Sequence, residues 1–153
     1  MRAIITAASL IALLTPDPVL QAGERAGDFA LPRKDLTPGA TRAATIAELC
    51  SKPVPVMVGG DKQRVFDRYG IPPDRRDSYV IDWLIPPELG GADSIKNLWP
   101  QLTVGPLNHG DKVKLEDELH AEVCAGKLPL AEAQEELRTD WPKAYLRVFG
   151  SYP

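Results

Sequence analysis

Apolar residues recur at helical spacing through the last third of the chain. Leu115, Leu119 and Val123 fall at i, i+4 and i+8 and predict a helix over 111–124, with Gly126 to end it. Leu130, Ala133, Leu137 and Trp141 follow at i, i+3, i+7 and i+11 and predict another over 130–140. A last helix starts near Trp141 and carries Tyr145, Val148 and Phe149, with Asp140 as N-cap and Pro142 in its first turn. On this spacing the aromatic residues read as core rather than as a ligand platform. Further upstream, Val65, Phe66 and Tyr69 predict a helix over 61–69 that Gly70 caps.

The period changes from 3.6 to 2 at Tyr79. Residues 79–85 are aromatic and β-branched and stop at Pro86-Pro87, which marks them as a strand. Tyr79, Ile81, Trp83 and Ile85 share one face, and Val80, Asp82 and Leu84 share the other. Gly90-Gly91 supplies a turn, and a short strand around 97–99 can return antiparallel. Residues 45–49 and 54–58 read as short extended segments, and 72–77 as a charged loop. Residues 23–44, broken by Pro32, Pro38 and Gly39, read as an irregular arm ahead of a domain over 45–153. The expected class is α+β: a short hairpin followed by helices, with a helical C-terminal third and no internal repeat.

Composition adds three constraints. Eighteen basic and 21 acidic side chains leave a formal charge of −3, which excludes nucleic-acid binding by bulk charge alone. Arg64 and Arg68, four apart on one helix, remain a local candidate for phosphate contact, diluted by Asp61 and Asp67. The N-terminus begins Met1-Arg2 and runs apolar from Ala3 to Leu14, shorter than the roughly 20 residues a membrane span needs. Those features predict a signal peptide over 1–22 cleaved after Ala22, hence a periplasmic or extracellular protein; a buried N-terminal helix is the alternative, cut short by Pro16 and Pro18. No later stretch could span a bilayer. In an oxidising compartment the only two cysteines, Cys50 and Cys124, are expected to bridge as a structural staple, the alternative being two separate buried thiols.

The stretch Tyr79-Val80-Ile81-Asp82-Trp83-Leu84-Ile85-Pro86-Pro87-Glu88-Leu89-Gly90-Gly91, followed by Asn97-Leu98-Trp99-Pro100, resembles the HNH, or ββα-metal, nuclease family. That family reads Asp-His-Ile/Leu-Ile-Pro, then Gly-Gly, then Asn-Leu, then a helix bearing the last metal ligand. Small exported bacterial members share further features, found here as Leu36-Thr37-Pro38-Gly39-Ala40, Tyr69-Gly70, Asn108 with Lys112 through Glu116, Val123-Cys124-Ala125-Gly126 and Leu130 to Trp141. The resemblance implies a ββα-metal-like core and metal-dependent phosphodiester hydrolysis. It implies that Asp82 ligates Mg²⁺ or Mn²⁺ and that Asn97 fixes the base. Asn108 or His109 would complete the metal site, and the ion would polarise the phosphate.

The decisive position departs from that pattern. Where the family has its base His, this chain has Trp83, whose indole nitrogen only donates and cannot take a proton from water. The resemblance therefore predicts a nuclease-like domain with impaired or absent activity. Two alternatives stay open: a disulfide-stapled binding or inhibitory module with an unknown protein partner, and a weak nuclease with a relocated base such as His109. Plain structural readings stand beside each residue: Asp82 capping a turn, Asn97 securing hairpin backbone, His109 solvated in a loop, and His120 ion-paired with Glu116 at i−4.

Overall fold

The strand expected over 79–85 and the return strand expected around 97–99 form the hairpin at the centre of the molecule, the second running on to Leu102. In the computed structural model, which describes residues 31–51 and 62–153, β1 (Tyr79–Trp83) pairs antiparallel with β2 (Leu98–Leu102). The register places Asp82 opposite Trp99 and Trp83 opposite Leu98. The signal peptide expected over 1–22 and the extended segment expected over 54–58 both lie outside the described residues. β1 is shorter than expected because Leu84 and Ile85 leave the ladder: Leu84 still donates to the Asn97 carbonyl, and both side chains turn into the core.

Four helices surround the hairpin among the described residues. They are α1 (Ile46–Cys50), α2 (Lys62–Tyr69), α3 (His109–Cys124) and α4 (Leu130–Phe149). The extended segment expected at 45–49 is instead α1. Its physical cause is a capping box: the Thr45 side chain accepts from Glu48 N at 3.2 Å, and Glu48 Oε2 accepts from Thr45 N at 2.7 Å. The charged loop at 72–77 folds as a 3-10 segment, Pro73–Ser78. α3 begins two residues earlier than the apolar stripe indicates, because Asn108 caps it: its Oδ1 accepts from Gly110 N at 2.7 Å.

α4 is two helices joined at Asp140, whose backbone (φ −162°, ψ 76°) leaves the helical region. Asp140 Oδ1 accepts from Lys143 N at 3.1 Å, so it caps the second half, and Pro142 sits in that half's first turn as expected. α3 and α4 pack against each other, and Leu115, Leu119, Leu137 and Trp141 meet Ile85, Leu89 and Trp99 of the hairpin in one buried cluster. Residues 31–44 have little regular structure yet are pinned to the hairpin. Thr37 Oγ1 donates to the Leu98 carbonyl at 2.9 Å, Gly39 N donates to the Lys96 carbonyl at 3.0 Å, and Thr41 bridges Gly91.

The Cys50–Cys124 disulfide is present and joins the C-terminal ends of α1 and α3. No helix among the described residues is long and apolar enough to cross a membrane.

Candidate functional site

β1 alternation sends Asp82 inward, against the first turns of α3. There it meets Lys112, whose side chain is fully buried on the same stripe as Leu115, Leu119 and Val123. Burying an ammonium is costly unless every proton finds an acceptor. Lys112 Nζ donates to Asp82 Oδ2 at 2.9 Å, to the Trp83 carbonyl at 2.6 Å, and to Glu116 Oε1 one turn along the helix. Three donors thus have three acceptors, which is the full capacity of the group.

One ammonium between two carboxylates leaves an excess negative charge in a buried place. Burial and the Asp82 charge push the Glu116 carboxyl up to about 8 against the pull of Lys112, while the two carboxylates hold the Lys112 ammonium above its ordinary range despite its burial. Glu116 holds its proton more tightly when folded, so its contribution to stability is full below about 4.5 and is lost as pH rises towards about 8. Denaturant unfolding between pH 5 and 9 is expected to show stability falling by at most about 1.4 kcal/mol per pH unit from this proton, and Glu116→Gln flattens that dependence. An unchanged profile in the variant contradicts the assignment.

His109 lies on the other side of Asp82. Its Nδ1 is 3.8 Å from Asp82 Oδ1 and is buried without a hydrogen-bond partner among the described residues. Of the two helix-side candidates, His109 therefore approaches Asp82. Asn108 does not join it, because its side chain is spent on the capping box and on the Gly105 carbonyl at 2.8 Å. Leu107, buried with φ 50°, forms the turn that delivers both.

A divalent ion does not fit this donor set. Asp82 Oδ1 and His109 Nδ1 are two ligands where Mg²⁺ or Mn²⁺ wants about six. A +2 ion there would stand within about 5 Å of the Lys112 ammonium, a repulsion of roughly 7 kcal/mol at an effective dielectric of about 20. Lys112 already offsets part of the negative charge that would otherwise attract the metal.

Comparison with known proteins adds no assignment. No protein-family model, curated protein or solved structure matches the chain.

Asn97 is wholly buried, and its side chain bonds backbone groups. Its Oδ1 accepts from Ile85 N at 3.0 Å, and its Nδ2 donates to the Ile85 carbonyl at 2.8 Å and the Ala92 carbonyl at 3.1 Å. The side chain therefore replaces missing ladder bonds and closes the turn. Gly91 lets it do so, since a Cβ at that position would lie 1.8 Å from the Ile85 carbonyl oxygen. Asn97→Ala orphans the buried backbone groups of Ile85 and the half-buried Ala92 carbonyl, and is expected to cost about 2–3 kcal/mol in denaturant unfolding. A loss below about 0.5 kcal/mol is the contrary result.

Arg68 is bonded within the fold. Its Nη1 donates to the Ile95 carbonyl and its Nη2 to the Leu36 carbonyl, both at 2.9 Å, tying α2 to the arm and the turn. Arg64 is exposed on the same helix. His120 does not pair with Glu116 as expected, because Lys112 takes that carboxylate; its Nε2 lies 2.9 Å from the Leu49 carbonyl oxygen instead. Ligand atoms of Cys50, His120 and Cys124 lie within 4.8 Å of one another, but the disulfide engages both sulfurs.

The residues missed in the sequence are the partners of Asp82. Their signal was a lysine on the buried stripe of α3, three residues before Leu115, with a glutamate four residues after it.

Proposed function

We propose that this is an exported domain on an HNH-nuclease-like scaffold whose phosphodiester-cleaving chemistry is lost or strongly weakened. The observation that carries it is the threefold bonding of Lys112 to Asp82, Glu116 and the Trp83 carbonyl. A fixed ammonium takes the place of the catalytic cation, and an indole stands where the resemblance expects a base. Losing the base alone costs roughly 10²–10⁴ in rate. The same bonding supports use as a disulfide-stapled binding or inhibitory module. The intact bridge and the lack of a membrane-crossing helix among the described residues are compatible with a periplasmic or extracellular location.

Plasmid incubated with the mature protein and Mg²⁺ or Mn²⁺ is expected to stay intact. Cleavage at ordinary nuclease rates overturns the reading. The Trp83→His variant separates its two halves: cleavage by that variant alone keeps the missing base but overturns the missing metal.

One observation favours a second reading, a weak nuclease with a relocated base. His109, a side chain able to take a proton from water, lies beside Asp82, its unpartnered Nδ1 3.8 Å from Asp82 Oδ1. If any cleavage is measured, His109→Ala abolishes it under this reading and leaves it unchanged otherwise.

A further inference from the structure

The corner where α1 meets α3 is chemically distinct from the Asp82 site. Cys50 ends α1, Cys124 ends α3, and His120 lies one turn before Cys124 on the same helix face. Cys124 Sγ is 3.4 Å from His120 Nε2, and the Cα atoms of the two cysteines are 5.7 Å apart. Cys124 is exposed, and Cys50 and His120 are partly so, which leaves the corner open to solvent.

We propose that reduction of the Cys50–Cys124 bridge turns this corner into a zinc site with Cys50, Cys124 and His120 as protein ligands. The inference rests on this cluster and is independent of the nuclease-like reading.

Spacing, donor type and the helix dipole all favour zinc here. Ligands on one tetrahedral zinc, at about 2.3 Å for sulfur and about 2.0–2.1 Å for nitrogen, lie about 3.5 Å apart, which the Cys124–His120 spacing already matches. Two thiolates and one imidazole with an open fourth position form a set that zinc accepts and hard cations do not. The C-terminus of α3, a helix of 16 residues, places the negative end of its dipole at Cys124, which disfavours a bare thiolate but favours a bound dication.

The chemistry balances in two steps. An external dithiol gives two electrons and two protons to the bridge, becoming a disulfide and leaving two cysteine thiols. Zinc then displaces both thiol protons to solvent, and two thiolates neutralise its charge. His120 Nε2 exchanges its contact with the Leu49 carbonyl, at 2.9 Å, for the metal.

The test uses the whole protein, oxidised or reduced with a phosphine that does not bind zinc. Zinc affinity is read by competition with a chromophoric chelator, and cobalt substitution reports thiolate ligation by its charge-transfer absorption. The reduced protein is expected to take up one equivalent, with thiolate–cobalt absorption, and the oxidised protein none. His120→Ala is expected to weaken binding by at least roughly tenfold. Far-UV circular dichroism covers the case in which reduction unfolds the chain: recovery of helix on adding zinc supports the site. Equal uptake by oxidised protein, affinity unchanged in His120→Ala, or no uptake by reduced protein overturns the proposal.

Discussion

Lys112→Met is expected to lose about 3–5 kcal/mol of stability in denaturant unfolding at neutral pH, more than any other single change in the Asp82 cluster. The stem of Lys112 is apolar and packs in the buried stripe, so methionine keeps most of that contact. What it removes is the only cation bonded to both Asp82 and Glu116 among the described residues. Asp82 is left buried with the unpartnered His109 Nδ1 nearby, and the Trp83 carbonyl loses its donor. The cost is that of a stranded Asp82 carboxylate, a Glu116 carboxyl without its partner and a stranded carbonyl rather than of a lost attraction. Removing all three charges together, as Asp82→Leu, Lys112→Met and Glu116→Leu, is therefore expected to recover much of the loss. A triple variant no more stable than Lys112→Met contradicts this account.

Replacing both bridge cysteines with serine is expected to cost about 4 kcal/mol, because the bridge closes a loop across a sequence separation of 74. The structural consequence concentrates at α1. Five residues are far too few for a helix to persist alone, and α1 is held by its capping box, by the buried Leu49 and by the bond to α3. The expected readout is a lowered denaturant midpoint together with fast amide exchange over residues 46–50 while α3 stays protected. A midpoint equal to that of the parent protein contradicts a stapling role.

Much of the fold is legible in the residues because local and long-range demands agree there. Leu115, Leu119 and Val123 form a stripe, Gly126 follows it, and the structure buries that stripe. Asp140 and Pro142 mark a helix start inside a continuous apolar pattern, and the break between the halves of α4 falls at Asp140. Periodicity misleads where a cap decides. Thr45-Ile46-Ala47-Glu48 carries β-branched residues and looks extended, yet the reciprocal Thr45–Glu48 bonds fold it as a helix. Asn108 shows the converse. Asn serves equally as a metal ligand or an N-cap, and only the start of α3 chooses between them.

The site was less legible than the fold, for a physical reason. Asp82 and His109 can be picked out as chemistry-bearing types, and the structure brings them together. Lys112 enters the sequence reading only within the Lys112–Glu116 stretch of the resemblance, and nothing there pairs it with Asp82. Its meaning depends on a contact across 30 residues to Asp82. Asn97 likewise makes its bonds across 12 residues to Ile85, so its role as a backbone clamp emerges only once the turn is closed around Gly91.

Lys112 holds the Asp82 carboxylate where the resemblance expects a metal ion. Adding Mn²⁺ in substoichiometric steps to the oxidised, isotope-labelled protein tests it most directly through paramagnetic broadening of amide signals. Asp82, Trp83 and His109 are expected to broaden no more than residues around exposed acidic side chains such as Asp117 and Glu118. Selective loss of the Asp82, Trp83 and His109 signals at low Mn²⁺ would place a cation beside Lys112 and contradict it.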